Sequence, residues 1–159
     1  MKQIWAPWRA EYIQAEKNSV CIFCAAPEKK TEEGLVLYKG NTSVVMLNKY
    51  PYNGGHILIA PLRHVARLEE LNDDEGADMW RLMRHATSSL TKAFNAGGFN
   101  IGLNLGKAAG AGIEDHIHLH VVPRWDGDVN FMPVLGDVKV ISEHLRQTLA
   151  KLLPFFKNI

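Results

Sequence analysis

The stretch that decides the fold is His116-Ile117-His118-Leu119-His120-Val121-Val122. Polar and apolar residues alternate here with the period of a β-strand, so the imidazoles project to one face and the apolar side chains to the other. Along a strand, alternate side chains stand about 6.6 Å apart. Packing alone does not explain three histidines in register, because each buried imidazole needs a hydrogen-bond partner. The run therefore predicts a strand that carries chemistry on one face.

Two kinds of chemistry use such an array. A histidine pair on a strand can bind a catalytic zinc ion that keeps one position open for water. Alternatively, one imidazole attacks phosphorus while the others orient it and contact phosphate oxygens. The spacing of the histidines does not choose between them. The loop before the run, residues 106–112, holds three glycines and Lys107 and favours phosphate.

The segments before the run alternate between strand-like and helix-like patterns. Residues 35–38 and 43–47 predict a hairpin around a turn at 39–41, and residues 56–60 predict a third strand that Pro61 ends. From Asn72, apolar residues recur every three or four positions up to Gly97 and Gly98, which predicts a long helix capped by Asn72 or Asp73 and stopped by the glycines.

Two more strands and a second helix follow. Residues 99–104 alternate like a strand, the histidine run is the fifth, and the tail predicts a helix that begins after Ser142 and ends at Pro154. Strands in hairpins with an inserted helix indicate an α+β domain in which an antiparallel sheet of about five strands is covered on one face. We expect one domain over residues 1–159, with an arm at 1–20, a core at 21–125 and a carboxy-terminal extension with a helix at 126–159.

Composition limits the partners. The 159 residues carry 18 Lys plus Arg against 17 Asp plus Glu, so no strong net charge attracts a nucleic acid duplex or an acidic membrane surface. No apolar stretch approaches the roughly 20 residues of a membrane span, and the first residues do not form a signal peptide. We expect a cytoplasmic protein. In that reducing compartment, Cys21 and Cys24, spaced C-x-x-C, indicate a metal clip or a redox pair.

The run matches the H-φ-H-φ-H-φ-φ signature of the histidine triad (HIT) superfamily, where φ is an apolar residue, and the chain resembles that family over residues 20–125. The other matching motifs, in chain order, are Cys21-Ile22-Phe23-Cys24, Leu47-Asn48, Gly55-His56, Pro61-Leu62-Arg63-His64 and Asn104. Residues 5–9, Pro123-Arg124-Trp125 and Asn130-Phe131 resemble the bacterial branch that includes diadenosine tetraphosphate phosphorylases.

The resemblance implies a set of roles. His118 would attack the α-phosphorus and form a nucleotidyl-histidine, with His120 and His56 facing the phosphate oxygens. The implied substrate-binding residues are Asn48 at the ribose, Asn104 and the backbone of Gly110, Ala111 and Gly112 at the phosphates, and Ile22 and Phe23 at the base. Many relatives carry Gln or Ser just before the triad, whereas this chain has Gly112-Ile113-Glu114-Asp115, so one side-chain donor is missing.

The resemblance also implies a structural zinc ion and a homodimer. Cys21, Cys24, His64 and His116 match the ligands of zinc-containing relatives, and four protein ligands leave no position for water. No organic cofactor is expected. The aromatic arm and the carboxy-terminal helix are the candidate dimer contacts.

The resemblance favours a phosphorylase or hydrolase of dinucleoside polyphosphates, and the sequence does not identify the acceptor. The alternatives are a nucleoside phosphoramidase or nucleotidyltransferase of the same family, a nucleotide-binding protein with little turnover, and a metallohydrolase with zinc on the triad. Glu114 and Asp115 would support the metal in the last case.

Overall fold

The computed structural model describes residues 20–128, 141, 143–157 and 159. Its strands are β1 (Val36–Lys39), β2 (Ser43–Leu47), β3 (Ile57–Pro61), β4 (Gly98–Leu103) and β5 (Leu119–Arg124). Its α-helices are α1 (Ile22–Ala25), α2 (Thr31–Gly34), α3 (Asp73–Phe94) and α4 (Leu145–Leu152). Short 3₁₀ helices cover Ala26–Glu28, Leu68–Glu70, Lys107–Ala109 and Leu153–Phe156.

The strands form one antiparallel sheet in the order β1-β2-β3-β5-β4. The hairpin of β1 and β2 continues into β3, and β5 then inserts between β3 and β4. The α+β class and the five-stranded sheet are therefore confirmed. Because β5 is central, the histidine run lies in the middle of the sheet, whereas β4 is an edge strand with half of its residues exposed and none buried.

The long helix α3 packs its apolar stripe on one face of the sheet. Asn72 caps it, since its side chain accepts from the N–H of Glu75 while the Glu75 carboxylate accepts from the N–H of Asn72. The helix ends at Phe94 because Asn95 adopts a left-handed conformation, two residues before the glycines expected to stop it. Asparagine tolerates that conformation better than most residues.

The core on this face joins both long helices to the sheet. Leu82 and Leu90 from α3, Leu152 from α4 and Ile59 from β3 have no exposed surface. Burying such a side chain contributes about 1.5–3 kcal/mol each. The predicted carboxy-terminal helix is present, with His144 as its cap. Ser142, the predicted cap, lies outside the described residues, as do residues 1–19 of the predicted arm and the motif at 130–131.

The expectation that helices cover one face only is wrong. On the opposite face, Phe23 of α1 and Ala26 pack against Val44, Leu58 and Ala60 of the sheet. The C-x-F-C segment places its aromatic residue there, so α1 closes the second face beside the histidines. This small second core positions both cysteines over the sheet.

The turn before β3 depends on Gly55. Its φ of +79° is unfavourable for residues with a side chain, and an added Cβ would lie 3.0 Å from the Leu90 side chain and 3.3 Å from Pro123. The close approach directs His56 toward the middle of the sheet. Among the described residues, no helix combines the length and apolar character needed to cross a membrane.

Candidate active site and metal centre

The histidine run is a strand only from Leu119 onward, so the prediction of a strand from its first residue is wrong by three residues. In the register that pairs Ile59 with Leu119, Ile117 would stand opposite Pro61. Proline has no N–H to donate, and the ladder stops there. Ile117 instead donates its N–H to the carbonyl oxygen of Val65, at 2.7 Å.

His118 is held in one orientation by the backbone. Its Nδ1 lies 2.8 Å from the carbonyl oxygen of His116, and because a carbonyl can only accept, Nδ1 carries the proton and donates. The other ring nitrogen, Nε2, therefore keeps its lone pair. Burial lowers the pKa of His118, so the ring is neutral near pH 7. A neutral imidazole with a free lone pair can act as a nucleophile.

His56 and His120 form a hydrogen-bonded pair next to His118. Nε2 of His56 lies 2.9 Å from Nδ1 of His120. The backbone N–H of Tyr52 donates to Nδ1 of His56 at 3.1 Å, as does the amide of Asn48 at 3.2 Å, so the proton of neutral His56 is on Nε2. His56 then donates to His120, whose own proton is on Nε2.

Both rings are strongly biased toward the neutral form. Burial, followed by the neighbouring charges of His120 and His118, lowers the pKa of His56 to about 3. Burial, followed by the charge of His118, lowers the pKa of His120 to about 4. At neutral pH the hydrogen bonds therefore all run in one direction. The Tyr52 N–H donates to Nδ1 of His56, Nε2 of His56 donates to Nδ1 of His120, and Nε2 of His120 is left as a donor.

Nε2 of His120 is buried and has no hydrogen-bond partner among the described residues. A buried donor without an acceptor is costly, and in a native structure it points to a bound ligand or water. The His118 and His120 rings lie 4.9 Å apart between centroids. The site thus offers a lone pair and an N–H donor side by side, which suits attack on one atom while charge develops on its neighbour.

The sequence pattern did not single out Tyr52. Its exposed ring is nearly parallel to that of His120, with centroids 5.6 Å apart and planes at 6°, and its backbone N–H orients His56. Tyr52 lies in an irregular loop, where periodicity gives no information. The proximity of an aromatic residue to the Gly55-His56 motif is the available signal.

Asn48 lies at the start of the same loop. Its side-chain oxygen accepts from the N–H of Tyr50 at 2.9 Å, and its amide faces His56. The residue is half-buried, so in this conformation it orders the turn. Contact with a ribose stays a prediction.

The glycine-rich loop offers fewer free donors than expected. The N–H of Gly110 donates to Lys107 and that of Ala111 to Gly106, both within the loop. Gly112 donates to no acceptor among the described residues. In this conformation the N–H groups of Gly110 and Ala111 are already bonded, and contact of the three backbone groups with phosphate stays a prediction. Asn104, half-buried after β4, stays a predicted phosphate contact.

The two residues predicted at the base differ in exposure. Ile22 is 46% exposed, whereas Phe23 has no exposed surface. The Phe23 ring lies 4.8 Å from that of His118 and 5.1 Å from that of His116, between centroids. Phe23 therefore packs against the rings of His116 and His118. Of the two residues predicted at the base, Ile22 is the one exposed in this conformation.

Two cysteines and two histidines converge beside the active site. Their ligand atoms, from Cys21, Cys24, His64 and His116, all lie within 4.8 Å of one another. Nδ1 of His116 is 3.3 Å from Sγ of Cys21 and 3.6 Å from Sγ of Cys24, and Nδ1 of His64 is 3.3 Å from Sγ of Cys24. A tetrahedral zinc ion places bound sulfur and nitrogen about 3.5 Å apart, so these residues fit a metal.

The outer contacts of His116 suit a ligand. Its Nε2 donates to the carbonyl oxygen of Pro61 at 2.9 Å, which leaves the Nδ1 lone pair facing the cysteines. Such a carbonyl partner is the usual support of a metal-bound histidine. Among residues 20–128, 141, 143–157 and 159, the cysteines and histidines at 21, 24, 64 and 116 are the one cluster that could hold a metal ion. Only one histidine of the triad, His116, belongs to it. The geometry thus disfavours zinc on the triad itself.

Comparison with known proteins agrees with this architecture. Residues 29–127 match the HIT domain family. The AP-4-A phosphorylase of Mycobacterium tuberculosis is 39% identical over 157 residues, covering 93% of this chain and 80% of that protein. An asymmetrical bis(5'-nucleosyl)-tetraphosphatase of Schizosaccharomyces pombe is 34% identical over 93 residues, covering 58% of this chain and 50% of that protein.

Solved structures give the same result. A Zn-bound histidine triad family protein from Mycobacterium smegmatis superimposes with a TM-score of 0.68 at 26% identity, covering 85% of this chain and 91% of that one. The shared sheet, the triad and the match over most of the chain all point the same way. The chain belongs to the HIT domain family.

Proposed function

We propose that this protein cleaves dinucleoside polyphosphates by transferring a nucleotidyl group through His118. The observation that carries the proposal is the hydrogen bond from Nδ1 of His118 to the carbonyl of His116, which frees Nε2 for attack. The relatives named AP-4-A phosphorylase and bis(5'-nucleosyl)-tetraphosphatase support the substrate class.

In the first step, Nε2 of His118 attacks the α-phosphorus of diadenosine tetraphosphate. A P–N bond forms, and the bond from the α-phosphorus to the bridging oxygen breaks, so ATP leaves and AMP stays on the histidine. The N–H at Nε2 of His120 donates to the bridging oxygen as it gains charge, because that donor is otherwise unpartnered. His56 supports this donor through the hydrogen bond that its Nε2 donates to Nδ1 of His120.

In the second step, an acceptor attacks the same phosphorus and the P–N bond breaks. Water gives AMP and inorganic phosphate gives ADP, in each case with the acceptor's proton going to a product phosphate oxygen or to solvent, because Nε2 of His120 keeps its own proton. We favour phosphate as acceptor, since the relative covering most of this chain bears the name phosphorylase. Hydrolysis is the alternative, as in the name of the yeast relative.

For the substrate, we propose that Asn48 contacts the ribose, that Asn104 and the N–H of Gly112 contact the phosphates, and that Ile22 lies against the base. A Cβ added at Gly112 meets nothing within 4 Å, so there is room for an anion beside it. Half-buried Asn48 retains exposed surface next to His56, and Ile22 is exposed near Phe23.

We also propose that Cys21, Cys24, His64 and His116 hold a structural zinc ion. A bound zinc ion would tie α1 to the segment after β3 and to the start of the histidine run. The fit of the four donors supports this, as does the Zn-bound relative. Four protein ligands leave no open position for water, so zinc would supply rigidity rather than a nucleophile.

Three further properties are proposed together. The chain forms a homodimer, supported by the edge strand β4 with exposed Ile101 and by exposed Leu105 just after it; light scattering that gives the monomer mass would contradict this.

Residues 1–159 form one domain, to be checked by limited proteolysis. The protein acts in the cytoplasm, where thiols stay reduced, without binding membranes or nucleic acid duplexes, since the net charge is +1.

The test is to incubate the protein with diadenosine tetraphosphate, with and without inorganic phosphate, and to identify the products by chromatography. ATP plus ADP that requires phosphate establishes phosphorolysis, and ATP plus AMP establishes hydrolysis. Intact-protein mass spectrometry after mixing reveals an AMP adduct that is labile in acid, as expected for a P–N bond.

Two variants complete this test. His118→Ala loses both the products and the adduct, whereas His144→Ala, which changes an exposed histidine at the start of α4, retains them. Turnover of an adenosine phosphoramidate alone would instead favour the phosphoramidase alternative. Binding without any product would reject the enzyme.

A further inference from the structure

The loop between β2 and β3 carries Asn48, Tyr52 and His56, and its backbone-to-backbone hydrogen bonds join residues of the loop itself. The N–H of Asn48 donates to the carbonyl of His56 at 2.9 Å, and the N–H of His56 donates to the carbonyl of Asn53 at 3.2 Å. These bonds close the loop at its base. They do not by themselves fix its position over β5, where His120 lies.

Asn53 makes the connection to β5. Its side chain is buried, and its amide donates to the carbonyl of Pro123 at 3.0 Å and to a carboxylate oxygen of Asp128 at 2.8 Å. The same residue accepts from the N–H of His56 through its own carbonyl. A shift of Asn53 therefore moves His56 directly.

Asp128 is in turn held by Arg124. Nε and Nη2 of Arg124 donate to separate carboxylate oxygens, both at 2.7 Å, and the backbone N–H of Trp125 adds a bond of 3.2 Å. Nη1 of the same guanidinium donates to the side chain of Asn100 on β4, at 2.6 Å. A two-pronged bond of this kind restricts orientation as well as distance. Arg124 holds the pKa of the carboxyl well below its usual range, so it stays charged.

We propose that Asn53, Asp128 and Arg124 are positioning residues that set the tautomers of His56 and His120. The three residues are called here the loop clamp, and none of their side-chain hydrogen bonds reaches a triad ring. They act by keeping the N–H of Tyr52 on Nδ1 of His56, since that bond forces the His56 proton onto Nε2. His120 is thereby fixed as the donor that the proposed leaving group needs, and the inference rests on that proposed function.

The loop clamp explains why the histidine pair needs support from outside the site. Two neutral imidazoles joined by one hydrogen bond have two arrangements, with the shared proton on either ring. The Tyr52 backbone and the Asn48 amide, both carried by this loop, select one of them because an N–H can only donate. If the loop moves, Nδ1 of His56 is free to take the proton, and His120 loses its donor at Nε2.

The experiment measures tautomers by ¹⁵N NMR of histidine side chains in the full chain, without substrate, at slightly basic pH. Wild type is expected to show protonated Nε2 at both His56 and His120. In Asp128→Asn the two signals shift toward mixed tautomers, while the signal of His118 is unchanged. With diadenosine tetraphosphate, kcat falls about tenfold to a hundredfold and KM changes little.

Asp78→Asn is the matched control, because Asp78 also accepts two bonds from an arginine, Arg81, at 3.1 and 2.8 Å, but it lies beside Thr42 in the turn before β2. It is expected to leave tautomers and kcat unchanged even if the melting temperature falls. If Asp128→Asn does not fold, Arg124→Lys is measured instead, since lysine keeps the charge and loses the fork. Asp128→Glu is expected to restore part of the wild-type signal.

Unchanged His56 and His120 signals in a folded Asp128→Asn or Arg124→Lys protein overturn the inference, even if kcat falls. Shifted signals in Asp78→Asn also overturn it, because the effect would then be general loosening. The NMR measurement needs no substrate. If wild type turns over no dinucleotide, the proposed function fails while the loop clamp is still tested.

Discussion

The carbonyl oxygen of His116 accepts a 2.8 Å hydrogen bond from Nδ1 of His118, while Nδ1 of the same His116 lies 3.3 Å from Sγ of Cys21. One residue thus joins the candidate nucleophile to the candidate metal centre. Its backbone orients His118, and its ring is fixed by the cysteines and by Pro61. Disturbing the metal centre is therefore expected to reach the active site through one peptide unit.

The first prediction follows from that link. Replacing His64 by Asn removes one ligand, so we expect the zinc content to fall well below one equivalent and kcat to drop about tenfold to a hundredfold. Elemental analysis and the melting temperature measure the loss without substrate. His144→Asn, another exposed histidine, serves as control and should keep the metal. A zinc content well below one equivalent in wild-type protein would contradict the metal assignment.

The second prediction concerns the leaving group. If His120 donates to the departing oxygen, His120→Ala slows the cleavage of diadenosine tetraphosphate by about 10²–10⁴-fold. A nitrophenyl ester of AMP releases a stable anion and needs no donor, so its cleavage should slow far less. His85→Ala, which removes a bond to the carbonyl of Phe155, is the control for general damage. Equal losses on both substrates would show that His120 is not the donor.

The third prediction is that stability falls between pH 6.5 and pH 4. The pKa values of His56 and His120 are lowered from 6.5 to about 3 and about 4, respectively. In this pH range the two histidines therefore bind protons in the unfolded chain but stay neutral in the folded protein. Stability contributed by these neutral rings is complete above pH 6.5 and declines by at most about 1.4 kcal/mol per pH unit for each ring as the pH falls.

Urea denaturation of metal-free protein at several pH values measures this slope. The pKa values of four carboxyl groups are also lowered, but they matter mainly near the ordinary range of carboxyl groups; these are Glu28, Glu75, Asp78 and Asp128. Above pH 5 the slope therefore comes mainly from the buried histidines, including His116 and His118, whose pKa values are lowered too. His120→Asn should flatten the slope between pH 6.5 and pH 5. An unchanged slope in that variant would reject the assignment.

The fourth prediction tests the start of α3. Asn72→Ala removes the cap that accepts from the N–H of Glu75, and we expect a loss of about 1 kcal/mol, or about 2–4 °C in melting temperature. Asp74→Ala changes a nearby exposed residue and is expected to have a smaller effect. If the two variants have the same melting temperature, the cap does not stabilise the helix.

Local patterns were sufficient for the order of the elements. The three- and four-residue spacing of Met79, Leu82, Ala86 and Leu90 predicted the buried stripe of α3, and Pro61 predicted the end of β3. The end of α3 was misplaced because Asn95 can adopt the left-handed conformation that was assigned to the glycines. Both kinds of signal lie within a few residues of their effect.

The sequence by itself determined that the three histidines lie near one another, because each is only two positions from the next. Only the tertiary structure decided that their rings separate, His116 toward the cysteines and His120 toward His56. It also decided that Asn53 reaches Asp128. These contacts join residues 64 to 95 positions apart, where local periodicity carries no information, because chain folding alone brings their hydrogen-bonding atoms together.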